Sequence, residues 1–248
     1  MITISNLAMQ FGGSVLFKQV DLQFTSGNCY GVIGANGAGK STMLNAIAGV
    51  FQVDTGKILI DGVDVTALPE YKRAKYIGRV FQDPMMGTAA TMQIEENLAL
   101  AARRGKPRTL RPGITKADRE FYKEQLRILD LGLEDRMTTK VGLLSGGQRQ
   151  ALTLLMATLV TPKLLLLDEH TAALDPATAE KVLALTKKIV AENHITCLMI
   201  THNVPSALAL GNRTVMMKDG RIVEENTVQE LFDHPQHAYT RELLSAAD

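Results

Sequence analysis

Hydrophobic positions in the first third of the chain follow the two-residue period of a β-strand. Ile2 and Ile4 alternate with polar residues. Leu22 and Phe24 repeat this alternation after the turn signal Gly12-Gly13, so antiparallel strands are predicted here. The further elements predicted in this part are a buried strand over 30–33, a helix over 40–48 that ends before Gly49, and strands near 58–63 and 76–81.

The rest of the chain changes from a helical pattern to strands that alternate with helices. From about residue 91 to 131 the apolar spacing is helical, with a break where glycine and proline occur between 103 and 113. The unbroken apolar run Leu164–Leu167 is typical of a strand covered on both faces. An amphipathic helix over 177–191, a buried strand over 195–200 and a hairpin around Asp219-Gly220 are predicted after it. The order indicates an α/β fold with a mostly parallel sheet, an N-terminal antiparallel β part and an inserted helical part.

Composition narrows the class of protein. A length of 248 residues allows one large domain or two small ones. Lys and Arg total 27 against 26 Asp and Glu, which argues against a surface built to coat nucleic acid. Cys29 and Cys197 lie in apolar runs without any CxxC pair, so we expect buried free thiols and neither a disulfide framework nor a zinc site. Neither a signal peptide nor a membrane-spanning run is visible, and an intracellular, soluble chain is expected.

A glycine-rich segment carries the first chemical signal. Gly34 to Ser41 matches the pattern G-x-x-x-x-G-K-[ST], directly after a predicted strand and at the start of a predicted helix. Glycine lets backbone N–H groups converge on phosphate oxygens, Lys40 adds positive charge, and the Ser41 hydroxyl suits Mg²⁺. The candidate residues for binding ATP in this segment are Gly34, Asn36, Gly37, Ala38, Gly39, Lys40, Ser41 and Thr42.

Two carboxylates follow the apolar run of the last third. Asp168 and Glu169 come directly after Leu167, at the carboxyl end of a predicted strand. Asp168 is assigned to Mg²⁺, and Glu169 is assigned either as the general base or as the residue that positions the attacking water. Many structural strands end in a carboxylate, so the assignment depends on the glycine-rich segment beside it.

A second short motif indicates which nucleotide-hydrolysing family is present. The segment Leu144-Ser145-Gly146-Gly147-Gln148 resembles the signature motif of the ATP-binding cassette (ABC) ATPases, and the resemblance extends over nearly the whole chain. Because a helix is predicted to begin here, Ser145 and the glycine amides suit an anion. The resemblance implies that Ser145, Gly146, Gly147 and Gln148 close on ATP held by a second copy, and therefore a homodimer with two composite sites.

Four further positions match elements of the same family in order. Phe11 stands where an aromatic ring stacks on adenine, with a plain core position as the alternative. Gln82 matches a glutamine that contacts Mg²⁺ and the attacking water, and Asp175 matches a loop that communicates across the dimer. His202 matches the histidine that contacts the γ-phosphate, although a lone histidine is usually structural. The resemblance implies one domain over 1–248, with a catalytic core at 1–82 and 162–248 and a helical subdomain at about 83–161.

One position departs from the family pattern. The family usually has proline directly after the Asp-Glu pair, where this chain has His170. Histidine loosens the turn and adds a group able to titrate near neutrality. The two interpretations are a tolerated turn variant and a direct role in hydrolysis or subunit contact.

The resemblance also implies partners. We expect the ATP-hydrolysing subunit of an importer, on the cytoplasmic face of the membrane, with integral membrane permease subunits, an extracytoplasmic solute-binding protein and no nucleic acid. The segment 234–244 is similar to the end of amino-acid and peptide importer ATPases, and 142–148 with 169–171 is similar to a tryptophan/tyrosine-type uptake group. The alternatives are a regulatory ATPase without transport, an exporter ATPase and a non-hydrolysing scaffold. Glu169 and His202 argue against the scaffold.

Two surface features belong to this partner hypothesis. Asp83-Pro84-Met85-Met86 offers flexible apolar side chains to a permease, or forms a core patch. A basic cluster indicates a solvated loop or a contact with anionic lipid headgroups; its members are Arg103, Arg104, Lys106, Arg108 and Arg111.

Overall fold

The computed structural model describes residues 1–107, 112–202, 207 and 210–245. Its first sheet is four-stranded and antiparallel, and it is formed by β1 (Ile2–Phe11), β2 (Ser14–Phe24), β4 (Thr55–Ile60) and β5 (Val63–Asp64) in the order β2-β1-β4-β5. Ile2, Ile4, Leu22 and Phe24 are all buried. The alternation in the sequence therefore predicted both the strands and their inner face.

The second sheet has six strands and is mostly parallel. It contains β3 (Cys29–Ile33), β6 (Ile77–Val80), β7 (Leu164–Asp168), β8 (Thr196–Ile200), β9 (Arg213–Lys218) and β10 (Arg221–Thr227). The spatial order is β10-β9-β3-β8-β7-β6, and among the strands that the structure describes in this sheet only the β10–β9 hairpin is antiparallel. The α/β class and the closing hairpin are confirmed.

Both faces of this sheet are covered by apolar side chains. Leu164 and Leu166 belong to a cluster shared with the first sheet, whereas Leu165 and Leu167 belong to a cluster on the opposite face. This is why an unbroken apolar run suits β7. Cys29 and Cys197 are buried free thiols, as predicted.

The helices are α1 (Lys40–Ala48), α2 (Glu70–Arg73), α3 (Ile94–Ala102), α4 (Lys116–Arg127), α5 (Gly146–Thr158), α6 (Pro176–Glu192), α7 (Val228–Asp233) and α8 (Ala238–Ser245). Helices α3, α4 and α5 share a third hydrophobic cluster, with Leu98, Leu126 and Leu152 fully buried in it. The boundaries proposed for a helical subdomain stay a prediction. In the described part of the chain, no helix is both long and apolar enough to cross a membrane.

The basic cluster is less solvated than predicted. The Arg104 guanidinium is partly buried and donates to the carbonyl oxygens of Ala157, at 2.7 Å, and Val160, and burial lowers its pKa. A solvated loop is therefore wrong for Arg104, which ties the end of α3 to the end of α5. Lys106 is exposed, and Arg103 is exposed although it donates to two backbone carbonyls. Arg108 and Arg111 lie outside the described residues.

The strand order brings the predicted chemistry to one edge of the second sheet. β3 leads into the glycine-rich loop, and its neighbour β8 leads to His202. β7 ends at Asp168, and β6 leads to Gln82. Because parallel strands place their carboxyl ends at the same edge, side chains far apart in sequence are gathered there.

Candidate nucleotide-binding site

The glycine-rich loop forms a cleft at the start of α1. Gly39 precedes the helix with a φ of 93°, and a Cβ atom there would lie 2.7 Å from the carbonyl oxygen of Leu16 on β2. Glycine is required for both reasons. The cleft has a volume of about 540 Å³. The predicted residues that line it are Asn36, Gly37, Ala38, Gly39, Lys40, Ser41, Thr42 and Glu169.

The Lys40 ammonium group is held inside the loop. Its Nζ donates to the carbonyl oxygens of Gly34, at 2.7 Å, and Ala35, at 3.0 Å, and the residue is only 6% exposed. Burial lowers the pKa of Lys40, while the nearby Glu169 and Asp168 carboxylates act to raise it. The loop thus carries a buried positive charge that faces two acidic groups.

Asp168 and Ser41 meet across the sheet edge. The Ser41 hydroxyl donates to Asp168 Oδ1 over 3.3 Å, and a guanidinium nitrogen of Arg79 lies 4.0 Å from Oδ2. Burial raises the pKa of Asp168, while Arg79 and Ser41 act to lower it. A hydroxyl and a carboxylate are oxygen donors that suit Mg²⁺, which takes few protein ligands when phosphates supply the others. The described residues contain no group of three His, Cys, Asp or Glu that could hold a metal, so an all-protein metal cage is not formed there.

Glu169 and His202 form a pair beside this site. Glu169 has a φ of 44°, which is uncommon for a residue other than glycine. Its N–H donates to Ile200 O over 3.0 Å and its carbonyl accepts from Ala172 N over 2.9 Å. His202 Nδ1 lies 3.2 Å from Glu169 Oε1. A carboxylate that lines the cleft and contacts an imidazole can accept a proton from water.

Phe11 and Gln82 lie apart from the cleft lining. Phe11 is 76% exposed at the end of β1, so the alternative of a core position is wrong. Gln82 is also exposed, two residues after β6. The described lining of the cleft includes neither residue.

The signature residues lie at the exposed start of α5. Ser145 Oγ accepts from Gln148 N and Gln148 Oε1 accepts from Ser145 N, both over 3.2 Å, and Ser145 and Gly146 are exposed. A Cβ atom on Gly147 would collide with the Thr178 methyl group of α6. Asp175 caps α6 by accepting from Thr178 N over 3.1 Å, a structural contact that the sequence interpretation missed. Neither segment contributes to the described lining of the cleft in the same chain.

His170 is buried and neutral. It is 2% exposed, and its Nε2 lies 3.3 Å from Thr186 Oγ1. The Thr186 hydroxyl donates to Val182 O over 2.7 Å, so we assign Nε2–H as the donor to Thr186. Burial lowers the pKa of His170 to about 4. The expectation of titration near neutrality is wrong, and the arrangement favours the interpretation as a turn variant packed against α6.

Two side chains at this site were missed from the sequence. Arg79 donates to Asn45 Oδ1 of α1 over 2.5 Å and stacks on Phe81, 4.4 Å from the ring centroid. A charged residue inside a buried strand pattern was the available signal. The Tyr239 hydroxyl accepts from Ala35 N over 2.7 Å, and no local pattern indicated that contact.

A family model described as ABC transporter matches residues 17–172. The chain belongs to the ABC transporter family. As an ABC transporter ATPase, it binds ATP and couples ATP hydrolysis to transport.

Proteins similar to this ABC transporter chain include two transport ATP-binding proteins and a solved cassette. It is 41% identical over 251 residues to the tyrosine transport ATP-binding protein of Clostridioides difficile (strain R20291), covering 96% of this chain and 100% of that protein. It is 35% identical over 248 residues to the methionine import ATP-binding protein MetN of Rhizobium johnstonii (strain DSM 114642 / LMG 32736 / 3841), covering 98% of this chain and 66% of that protein. The ATP-binding cassette MJ0796, in a dimeric post-hydrolysis state with ADP and Pi, is 30% identical with a TM-score of 0.78, covering 92% and 99% of the two chains.

Proposed function

We propose that this chain energises the uptake of a small solute, an amino acid such as tyrosine or a similar molecule, through separate permease subunits. The relatives named for tyrosine transport and methionine import support the solute class. One geometric observation supports the part of this proposal that concerns ATP hydrolysis. The Lys40 loop, the Ser41–Asp168 pair and the Glu169–His202 pair meet at one edge of the parallel sheet.

The proposed roles follow from charge and geometry. Backbone N–H groups of residues 36–42 and the Lys40 ammonium bind the phosphates of ATP. Ser41 and Asp168 would hold Mg²⁺, with Gln82 as a further ligand, and the bound ion would supply positive charge that neutralises the phosphates. Glu169 orients water and accepts its proton. His202 holds the Glu169 carboxylate and contacts the terminal phosphate.

The site is completed by a second copy of the chain in this proposal. The exposed helix start at Ser145 presents N–H groups and the positive end of the α5 dipole, which suits a phosphate. Asp175 lies at the start of the neighbouring helix and would meet the partner copy. The exposed ring of Phe11 is free to stack on adenine.

The permease is proposed to dock on the helical insert, roughly residues 83–143. Met85 and Met86 are 42% and 71% exposed, so the alternative of a core patch is wrong for both. Flexible thioether side chains adapt well to a partner helix. This docking places the chain on the cytoplasmic face of the membrane, with a solute-binding protein on the other side and no nucleic acid involved.

Replacement of the proposed base tests the hydrolytic mechanism. Glu169→Gln keeps the size of the side chain but removes its capacity to take a proton, so we expect kcat to fall about 10²- to 10⁴-fold while ATP affinity stays near the wild-type value. Phosphate release is measured on the complex purified with its membrane partners, and Glu180→Gln, on an exposed position of α6, is the control. Near-normal hydrolysis in the Glu169 variant would remove Glu169 from this role.

A transport assay tests the solute class. Membrane vesicles that contain the complex are loaded with ATP, and uptake of labelled tyrosine, tryptophan and methionine is followed. We expect ATP-dependent uptake of at least one of them, which disappears with Glu169→Gln. Active ATP hydrolysis without uptake of any amino acid would contradict the proposed solute class.

A further inference from the structure

The first peptide group of the glycine-rich loop is held from both sides. The Gly34 carbonyl accepts from Lys40 Nζ over 2.7 Å. The Ala35 N–H donates to the Tyr239 hydroxyl oxygen, also over 2.7 Å. The Gly34 carbonyl and the Ala35 N–H belong to one planar peptide group. Rotation of that group would therefore break both contacts together.

The helix that carries Tyr239 is anchored to the sheet. The Glu224 carboxylate of β10 accepts from Gln236 N over 2.8 Å, His237 N over 3.0 Å and Thr240 Oγ1 over 2.5 Å. These donors lie at the start of α8, where a carboxylate also complements the helix dipole. Further along α8, Leu243 packs against the cluster behind β7 and β8. The position of Tyr239 is thus fixed by contacts outside the loop.

The Tyr239 ring has a further contact of its own. Lys218 Nζ, at the end of β9, lies 4.9 Å from the centroid of the ring. A cation over an aromatic face is attractive, and this contact orients the ring from the side of the sheet. The hydroxyl is consequently directed by α8 and β9 together.

We propose that Tyr239 is a positioning residue for nucleotide binding: its hydroxyl sets the plane of the Gly34–Ala35 peptide group and, through the Gly34 carbonyl, the location of the Lys40 ammonium. An acceptor on the N–H polarises the peptide group and strengthens its carbonyl as the partner of Lys40. The inference rests on the proposed role of Lys40 toward the phosphates of ATP. It adds a residue of the last helix to a site otherwise built from the sheet edge.

Removal of the single hydroxyl group tests this role. Tyr239→Phe keeps the ring and its packing, and the net value of one hydrogen bond corresponds to about a 2- to 10-fold change in an equilibrium constant. We expect the dissociation constant of a fluorescent ATP analogue with Mg²⁺, and KM for ATP in the purified complex, to rise by that factor while kcat stays within about two-fold. Hydrogen exchange at the Ala35 amide should become faster. Tyr71→Phe is the control, because Tyr71 is 75% exposed.

A second variant approaches the same contact from its anchor. Glu224→Gln weakens the hold on the start of α8 without touching the loop, so it should shift nucleotide affinity in the same direction.

An unchanged affinity and KM in Tyr239→Phe would overturn the proposal. A lower thermal midpoint or lower kcat with unchanged KM would also overturn it, since that result describes a merely structural contact.

The outcomes separate this inference from the proposed function. Lys40→Ala is measured in parallel and should weaken binding of the same analogue. If Lys40→Ala binds as well as the wild type, the phosphate role of the loop fails, and this inference fails with it. If Lys40→Ala weakens binding and Tyr239→Phe does not, only the inference about Tyr239 fails.

Discussion

Lys40 and Asp168 show how burial and charge oppose each other beside the glycine-rich loop. Burial lowers the pKa of Lys40 and raises the pKa of Asp168, so desolvation disfavours the charged form of each group. For Lys40 the Glu169 and Asp168 carboxylates act in the other direction. For Asp168 the Arg79 and Lys40 cations do so, whereas Glu169 raises its pKa further. The charged form of each group is therefore favoured by its oppositely charged neighbours, so a substitution at one of these residues alters the pKa of the others.

His170 makes the stability of the fold depend on pH. Its pKa is about 4 in the folded chain and near 6.5 for an unperturbed histidine. The unfolded chain therefore binds a proton between these values and the folded chain does not, so stability is present above pH 6.5 and is lost as pH falls. The loss from this group amounts to about 2 kcal/mol between pH 7 and pH 5.

Urea denaturation at several pH values measures this contribution. His170→Gln should remove this part of the slope of unfolding free energy against pH, because glutamine does not titrate. His194→Gln, on an exposed position, should leave the slope as in the wild type. Equal slopes in all three proteins would show that His170 is not kept neutral by the fold.

Helix α1 illustrates what supports a single element. It begins at Lys40 and ends at Ala48 with Gly49 as the C-cap, as its sequence pattern predicts. Its last carbonyl groups have a partner that the pattern does not reveal. The fully buried Arg73 of α2 donates to Ala46 O and Ile47 O, each over 2.8 Å. The helix that carries Lys40 is thus held at its far end by a cation from another element.

Loss of Arg73 should destabilise the fold. Arg73→Met removes the guanidinium donor to Ile47 O, Leu68 O and Thr66 O, while Ala46 O keeps the N–H of Gly49. We expect the free energy of unfolding to fall by about 2–4 kcal/mol. Arg73→Lys should not restore it, because an ammonium group cannot reproduce the guanidinium geometry. Urea denaturation measures the change, with Arg127→Met on the exposed end of α4 as the control. A loss below about 0.5 kcal/mol, the range of ordinary surface substitutions, would contradict this account.

In the whole chain, the two proposed halves of the ATP site lie on different surfaces. The loop around Lys40 lines one cleft, while the start of α5 at Ser145 is exposed elsewhere and lines no part of that described cleft. A chain that carries one Lys40 loop and one Ser145 helix start can complete an ATP site by pairing with a second copy, each copy supplying the half that the other lacks. The related MJ0796 cassette, described as dimeric with ADP and Pi, supports this proposal.

The dimer can be trapped and then blocked. Glu169→Gln with ATP should run as a dimer in size-exclusion chromatography with light scattering, because hydrolysis no longer releases the nucleotide, and it should run as a monomer with ADP. Adding Ser145→Asp should abolish the dimer, since aspartate still caps a helix but repels phosphate. A trapped variant that stays monomeric with ATP, even beside its membrane partners, would contradict the shared site.

Much of the fold was predictable because local patterns control local backbone structure. The alternation around Ile2 and Leu22 predicted strands with one buried face, and the apolar run before Asp168 predicted a strand buried on both faces. The glycine-rich loop was predictable for the same reason, since glycine and its spacing act on their own backbone.

The surroundings of the site side chains were not predictable in this way. Tyr239 and Ala35 are 204 positions apart in the chain, and the neutral state of His170 comes from the α6 residues packed over it. A linear pattern determines which way a strand or helix turns its side chains. The burial of a side chain and its hydrogen-bond partners depend on which distant segments the fold packs against it. They therefore follow only from the tertiary structure.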